Sequence, residues 1–496
     1  MGSILHASTS FHLSVPPNKH NHQPKHLQIT TTTTTTKHQA LERVLEDLQL
    51  SIQRGAPVHD PHIFSSLLET CFRLRSLHHA LRLHRLIPPR LLRRNPLLQS
   101  KLLRMYASHG FLDEARLLFD AMPQRTSFAY NSLISAYADS SLHEEALALF
   151  LQMDEDSVPR DRHTFPRALK ACAGLGSLRL GEELHRLAVR RGFHADPFVQ
   201  NALVAMYAKC GDVAKARTVF ETIGCRRDPV SWNSMLTGYV RHGLLVEALD
   251  VFRGMLNAGL EPDSVAVSAV LSGFRSSRLG LEIHGWVIRR GRGRERSPSV
   301  GNALIGVYAE RGQLRRARAV FASIPCKDRV SWNSVISAHR RDQRAVAMFE
   351  RMVDSGVLPD EITFVAVLSA CACNGIIGEG RRLFGEMEEK YRIRRGPEHL
   401  GCVVNMLGRA GRVHEAYELV VASEVVGGAT AWGALLYACA VHGEVEVGER
   451  AAERLFELEP DNAHNFELLM RIYRGAGRTE EAEKVKGWMR ERGLDD

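Results

Sequence analysis

An asparagine recurs at one place in five similar segments of the chain, each time near the start of an apolar pattern. Asn131, Asn233 and Asn333 lie in AYNSLISAYA, SWNSMLTGYV and SWNSVISAHR, while Asn201 and Asn302 begin NALVAMYAKCG and NALIGVYAERG. An asparagine amide has a donor and an acceptor, so it can pair with a polar ligand edge, and near a helix start it can equally serve as a cap. The elements that carry these residues decide between the two roles.

Residues 229–263 show what those elements are. Apolar residues recur at helical spacing until Gly243, and a second apolar run of the same spacing extends from Leu245 to Met255. This pattern predicts two antiparallel helices joined by a tight turn. A single helix pair cannot bury both of its apolar faces, so it needs a similar pair on each side.

Copies of this pair occupy most of the chain. The asparagine-containing segments return after roughly 100 residues, and so does a third series, RHTFPRALKACA at 162–173, SVAVSAVLSGFR at 264–275 and EITFVAVLSACA at 361–372. Three interleaved series of one period predict triplets of unequal helix pairs. A chain of 496 residues would ordinarily form several globular domains, but this one is predicted to form one elongated stack.

The triplet, with its YNS or WNS openings and its MYAKCG turn, resembles the plant organellar pentatricopeptide repeat proteins of the PLS class. The resemblance covers residues 61–496 and implies an all-α fold, a right-handed superhelical α-solenoid of antiparallel helix pairs. It implies about eleven repeats over 61–428, preceded by a capping helix over 42–60. Residues 429–496 resemble the two E motifs of the family's E subgroup, which are helix pairs like those of tetratricopeptide repeats.

The first 41 residues differ in composition from the rest. They contain seven consecutive threonines, three lysines, and neither acidic residues nor arginine. Such a leader is typical of an organelle transit peptide, and the lack of arginine favours the chloroplast over the mitochondrion. The alternative is a low-complexity tail without a targeting role.

Charge and cysteine content restrict the function further. The chain has a net charge of +9; the leader carries +3 and residues 429–496 carry −5, which leaves +11 for residues 42–428. A basic array suits a polyanion, and an acidic terminal segment suits protein partners. No apolar run is long enough to span a membrane, and the nine cysteines include no Cys-x-x-Cys, so neither a membrane partner nor a metal is expected.

In the resembled family, the fifth and last residues of each unit recognise one RNA base. We call these two residues a recognition pair. Five units carry the same pair of asparagine and aspartate: Asn131 with Asp161, Asn201 with Asp228, Asn233 with Asp263, Asn302 with Asp328, and Asn333 with Asp360.

An aspartate accepts hydrogen bonds only, so these pairs should favour uracil, which has a donor at N3 where cytosine has an acceptor. The family's code agrees. The competing interpretation is that these side chains merely cap helices or form turns. The apolar neighbours Val230 and Val330 either flank a base or pack between helices.

The other units have less informative recognition pairs. Polar side chains that we regard as weaker RNA contacts are Ser65 with Asn95, Ser100 with Thr126, Ser268 with Ser297, and Asp196 beside Pro166. The units from 127 to 360 therefore predict a target of the form U-n-U-U-n-U-U, written from its 5′ end, where n is any nucleotide.

No catalytic constellation is present. His442-Gly443-Glu444 has the His-x-Glu of a zinc-dependent cytidine deaminase, but no cysteine follows Cys439, and the chain ends before the deaminase domain that related proteins carry. We therefore expect a cofactor-free, monomeric RNA adaptor. It would select sites either for C-to-U editing, with a deaminase acting in trans, or for group II intron splicing, with splicing factors in trans. The alternative from a different class is a helical protein–protein scaffold that recognises no bases.

Overall fold

The computed structural model describes residues 29–54, 56, 58–290, 297–423 and 428–494, with residues 29–36 described by their backbone only. Residues 1–28, which form the larger part of the predicted transit peptide, lie outside the described residues. In the described part, every regular element is a helix, so the all-α prediction is confirmed. The described residues contain no helix that is long and apolar enough to cross a membrane.

The chain forms two compact units, residues 1–202 and 203–496. The helices that begin in the first unit are α1 (Ile29–Gln53), α2 (Pro61–Arg73), α3 (Leu77–Leu86), α4 (Pro89–Arg94), α5 (Pro96–Ser108), α6 (Leu112–Asp120), α7 (Ser127–Asp139), α8 (His143–Glu155), α9 (Thr164–Leu175), α10 (Leu178–Arg190) and α11 (Pro197–Lys209).

The second unit continues with α12 (Val213–Ile223), α13 (Pro229–Arg241), α14 (Leu245–Asn257), α15 (Ser264–Gly273), α16 (Arg278–Arg289), α17 (Pro298–Glu310), α18 (Leu314–Ser323), α19 (Arg329–Ala338), α20 (Arg344–Asp354), α21 (Glu361–Asn374), α22 (Ile377–Glu389), α23 (Pro397–Arg409), α24 (Val413–Ala422), α25 (Ala429–His442), α26 (Val445–Leu458), α27 (Ala463–Gly475) and α28 (Thr479–Glu491). A short 3₁₀ helix, Gly224–Arg226, follows α12.

Consecutive helices form antiparallel pairs, and the pairs stack in order within each unit. In the first unit α2, α5, α7 and α9 pack against one another in succession, and each contacts the helix that follows it. In the second unit the odd-numbered helices from α13 to α27 do the same. Each unit therefore has a layer of first helices and a layer of second helices, which is the solenoid architecture that the repeats predict.

The pair α13–α14 shows how the sequence produces this arrangement. Asp228 caps the first helix, and Gly243 adopts a φ of +71° that suits glycine, so the chain can turn back directly. Trp232, Met235, Leu236 and Tyr239 of the first helix and Ala248, Val251, Phe252 and Met255 of the second are buried. Gly238 allows α11, the preceding first helix, to approach closely, since a Cβ there would lie 2.6 Å from Cβ of Ala208.

The N-terminal boundary differs from the sequence prediction. The capping helix was predicted over 42–60 and the leader over 1–41, whereas α1 runs from Ile29 to Gln53 and passes through residue 41 without a break. Leu41, Leu45 and Leu48 are buried on one side of this helix. The helix therefore crosses residue 41, and the division between leader and repeat array stays a prediction.

Candidate nucleic-acid interface

The five asparagines of the recognition pairs occupy the same position on five first helices. Asn131, Asn201 and Asn333 are only 5%, 9% and 9% exposed, while Asn233 and Asn302 are half-buried. Each is the fifth residue of its unit and stands in the second turn of a first helix. The shared register that the sequence predicts is thus present as a shared structural position.

Four of the five aspartates are the N-cap of the following first helix, and Asp161 lies two residues before the N-cap of α9. Their carboxylates accept hydrogen bonds from backbone N–H groups of the first helical turn, namely Thr164 to Asp161, Ser231 to Asp228, Ala266 to Asp263, Ser331 to Asp328 and Thr363 to Asp360, at 2.8 to 2.9 Å. The capping role is therefore present in every pair. It does not exclude the second role, because a carboxylate has several acceptor sites.

Three recognition pairs are joined by a direct hydrogen bond. Nδ2 of Asn131 lies 3.1 Å from Oδ1 of Asp161, and Nδ2 of Asn233 lies 2.9 Å from Oδ2 of Asp263. The third bond joins Nδ2 of Asn333 to Oδ1 of Asp360 at 3.2 Å.

The pair of Asn302 and Asp328 differs. In the described part of the chain no hydrogen bond joins Asn302 to Asp328, whose side chain is exposed. Asn201 belongs to the first compact unit and Asp228 to the second.

The orientation of these amides leaves an acceptor without a donor. Because the amide nitrogen of Asn131 or Asn233 points at a carboxylate, the other atom must be the carbonyl oxygen. In the described structure this oxygen is buried without a hydrogen-bond donor in Asn131, Asn233 and Asn302. A buried carbonyl without a donor costs free energy, so each of these oxygens would gain from an N–H group supplied by a ligand.

Asn333 is different from the other asparagines. Its carbonyl oxygen accepts a hydrogen bond from Oγ1 of Thr363 at 2.7 Å, while its amide nitrogen binds Asp360. The five pairs are equivalent in sequence, and the role of Thr363 was not predicted. A signal was available, because Ser or Thr follows four of the five aspartates by three residues and only Asp263 has Ala266 there.

Two of the carboxylates have a lowered pKa. Burial by itself raises the pKa of Asp161, but the hydrogen bonds from the backbone of His163 and from the side chains of Thr164 and Asn131 outweigh it. Burial likewise raises the pKa of Asp360, and its bonds from Thr363 and Asn333 together with the charge of Arg329 reverse the effect. Both groups are therefore ionised at neutral pH and act only as acceptors.

Exposed apolar side chains stand beside the recognition pairs. Val230 and Val330 are 56% and 59% exposed, so they do not pack between helices. The same second position of other units carries Leu97, Phe128, Phe198, Val265 and Ile362, which are all exposed as well. Side chains of this kind at a regular spacing provide surfaces on which bases can stack.

The weaker candidate residues mostly make local contacts. Oγ of Ser100 lies 2.9 Å from Oγ1 of Thr126, which also caps α7. Asn95 caps α5, and Asp196 caps α11. Ser268 donates to the backbone of its own helix, Ser297 contacts Ser299, and Ser65 is half-buried.

The residues that imitate catalytic motifs have structural roles. Nε2 of His442 donates to the backbone oxygen of Gly408, 2.7 Å away, and so caps the end of α23. Burial raises the pKa of Cys439 to about 12, which leaves this thiol protonated and unreactive. The described residues contain no group of three or more His, Cys, Asp or Glu side chains that could hold a metal ion.

Comparison with known proteins identifies the family. Residues 227–276 match the PPR repeat family, and residues 100–126, 128–158, 201–226, 330–357 and 362–391 match the PPR repeat. A chloroplastic pentatricopeptide repeat-containing protein of Arabidopsis thaliana is 53% identical over 463 residues, which cover 93% of this chain and 87% of that protein. The chain belongs to the pentatricopeptide repeat family.

Other matches extend this assignment. This pentatricopeptide repeat protein also matches the E motif over residues 442–496, so α26 to α28 form part of that motif. The chloroplastic protein CRR2 of Arabidopsis thaliana is 38% identical over 443 residues, which cover 87% of this chain and 67% of CRR2. The crystal structure of the pentatricopeptide repeat protein PPR10 from maize covers 95% of this chain and 89% of its own, with 15% identity and a TM-score of 0.37.

Proposed function

We propose that this pentatricopeptide repeat protein binds one single-stranded RNA sequence and thereby marks a transcript for maturation by other proteins. The observation that carries the proposal is the set of asparagine carbonyl oxygens that lack a donor, each at the fifth position of its unit. These oxygens are matched to a ligand that supplies an N–H group. Uracil has such a group at N3, whereas cytosine presents an acceptor there.

Recognition of uracil uses both members of a pair. The aspartate holds the amide nitrogen of its asparagine, as the 2.9 Å contact between Asn233 and Asp263 illustrates, and this fixes the carbonyl oxygen as the group that meets the base. The oxygen is covered in the free protein, so the base must displace a neighbouring side chain to reach it. The exposed apolar residues at the second position, such as Val230, flank the ring of the base.

The five pairs should not discriminate equally. Asn233 has an oxygen that is ready to accept, whereas the oxygen of Asn333 already accepts from Thr363. A uracil at the last position must replace the hydrogen bond from Thr363, so it gains less binding free energy than a uracil at the other positions. Within the target U-n-U-U-n-U-U, the last U is therefore the most tolerant of substitution.

Binding to RNAs of systematically changed sequence tests this function. The probes carry U-n-U-U-n-U-U in an unstructured RNA, with one U at a time replaced by A, and their dissociation constants are measured at one fixed salt concentration, because phosphate contacts make affinity salt-dependent. We expect weaker binding for each replacement, with the smallest effect at the last U. Equal affinity for all probes would refute base recognition by these pairs.

We further propose that the protein acts in the chloroplast, with editing-site selection or group II intron splicing as its process. The acid-free leader supports this location, and the two Arabidopsis relatives described above are named chloroplastic. Residues 429–496 are acidic and include the E motif, which suits the recruitment of a deaminase or of splicing factors in trans. Sequencing of chloroplast transcripts in a plant that lacks the protein distinguishes the two processes: one unedited cytidine supports editing, a retained intron supports splicing, and an unchanged transcriptome contradicts both.

A further inference from the structure

The negative charge of residues 429–496 is not spread evenly over its two helix layers. The first helices, α25 and α27, contain one acidic residue, Glu467, and two arginines, Arg471 and Arg474. All other acidic residues of this segment lie on the second helices or in the turns and the terminus. The first-helix layer is therefore slightly positive although the segment as a whole carries −5.

The cations on this layer are available for a ligand. Arg471 and Arg474 are exposed, as is Arg409 at the end of the neighbouring α23, and none of the three has a carboxylate partner among the described residues. By contrast, two arginines of the second-helix layer form ion pairs with carboxylates. Arg454 pairs with Glu457, and Arg478 with Glu449 and Glu481.

An aromatic ring stands between these cations. Tyr437 is the ninth residue of unit 429–462 and is 51% exposed on α25, the helix that packs between α23 and α27. In the units from 197 to 428 the ninth residue is small or short, as in Thr237, Ser337, Ser369 and Asn405. The second, ninth and thirteenth residues of a first helix lie on one face at 100° per residue, so Tyr437 occupies the face on which Val230 and Val330 stand in their units.

The fifth position of this unit has no recognition side chain. It is Gly433, and a Cβ built there would meet nothing within 4 Å. The space that an asparagine fills in other units is therefore open one turn before Tyr437. A base that enters here can stack on the ring, but no side chain at the fifth position is present to distinguish one base from another.

We propose that the first-helix face of 429–462 extends the RNA interface beyond the repeat array, with Tyr437 as a stacking platform of no base preference and Arg409 and Arg471 as phosphate contacts. This inference rests on the proposed RNA binding. With one nucleotide per helix pair, the units after 329–360 are 361–396, 397–428 and 429–462. Tyr437 therefore meets the third nucleotide on the 3′ side of the last recognised U.

The test uses the full chain and two RNA probes of equal length. Both contain U-n-U-U-n-U-U, and four extra nucleotides are attached at the 3′ end of one and at the 5′ end of the other. The variants are Tyr437→Ala and Tyr437→Phe, with Trp488→Ala as a control, because Trp488 is 47% exposed but lies on the second helix α28. Equal melting temperatures for wild type and Tyr437→Ala establish that the half-exposed site tolerates the change.

Stacking of a base on an aromatic ring contributes about 1 to 3 kcal/mol, so Tyr437→Ala should weaken binding of the 3′-extended probe about 5-fold or more. The 5′-extended probe should bind the variant and the wild type equally, and Tyr437→Phe and Trp488→Ala should leave both probes unaffected. An abasic site at the third 3′ nucleotide should weaken RNA binding by the wild type by the same factor. It should not weaken binding by Tyr437→Ala any further. Changing the base at that position should have no effect.

Three results would overturn the inference. Wild-type affinity of Tyr437→Ala for the 3′-extended probe would show that the ring does not contact RNA. An abasic site without effect on the wild type would do the same. If Tyr437→Ala retained RNA binding but lost a protein that co-purifies with the wild type, the face would serve a protein partner instead. The proposed function would be refuted by a different result, in which the wild type binds both probes equally well after U is replaced by A in their core. This result concerns the core of the probe, whereas the other three concern Tyr437.

Discussion

Replacement of Asn233 by alanine should remove base recognition at one position with little effect on stability. In the folded chain the Asn233 side chain contributes to stability through one hydrogen bond, from its Nδ2 to Asp263 at 2.9 Å. It lowers stability through its buried carbonyl oxygen, which has no donor. A hydrogen bond to a charged group contributes about 1.5 to 3 kcal/mol, and an unsatisfied buried acceptor costs about 1 to 3 kcal/mol. The two changes oppose each other, so the free energy of unfolding should change by no more than about 2 kcal/mol.

RNA binding should respond much more strongly. The variant lacks the acceptor for uracil N3–H, and the same range of about 1 to 3 kcal/mol corresponds to a 5- to 150-fold weaker affinity. The effect should be confined to the RNA that carries U at the fourth position of U-n-U-U-n-U-U. An RNA with A at that position should bind the variant and the wild type with similar affinity.

Asn333→Ala is the matched control because the same residue type has both of its polar groups satisfied. It loses a bond to the charged Asp360 and a neutral bond from Thr363 and relieves no buried acceptor, so it should lower stability by about 2 to 4.5 kcal/mol. Calorimetric melting and fluorescence anisotropy on both variants measure the two effects. The reasoning is refuted if Asn233→Ala still prefers U to A at its position, or if it destabilises the chain more than Asn333→Ala does.

Three further predictions follow from the same geometry. Hydrogen bonds lower the pKa of Asp161 and Asp360 in the folded chain. The stability that these carboxylates contribute is therefore complete above the ordinary carboxyl pKa of about 3.9 and is lost as the pH falls through the lowered pKa. Asp360→Asn should flatten the acid side of a plot of melting temperature against pH, and an unchanged plot would contradict this. Val230→Ser should change stability by less than about 0.5 kcal/mol, since the side chain is exposed, yet weaken RNA binding measured by anisotropy; equal affinity would exclude Val230 from the interface. Thr363→Val should free the carbonyl oxygen of Asn333 and raise the preference for U at the last position alone, and a uniform change at all positions would argue against this role.

The helix pairs could be predicted because they depend on local patterns. Apolar spacing marks each helix, and Gly243 marks a turn that requires a positive φ. The pairing of Asn233 with Asp263 was implied by the resemblance to pentatricopeptide repeat proteins, and the two side chains are hydrogen-bonded in the structure. Periodicity therefore predicts the architecture, while the membership of the recognition pairs came from the family resemblance.

The individual hydrogen bonds could not be predicted in the same way. Whether an oxygen of Asn333 accepts from Thr363 depends on side-chain rotamers and on the offset between adjacent helices, and no periodic pattern encodes either. Capping and pairing were treated as competing roles of Asp263, although its two oxygens perform both at once. The start of α1 was missed for a different reason: its run of threonines has low helix propensity, and Ile29 therefore gives no sign of a helix start.

Selection from a random RNA pool tests the central claim most directly, because it assumes no target. The full chain is incubated with RNAs of random sequence, and the bound molecules are sequenced. The account predicts enrichment of uracils at the spacing U-n-U-U-n-U-U, with the last U the least constrained. Enrichment of a motif without this spacing, or of no motif, would contradict recognition of uracil by the asparagine and aspartate pairs.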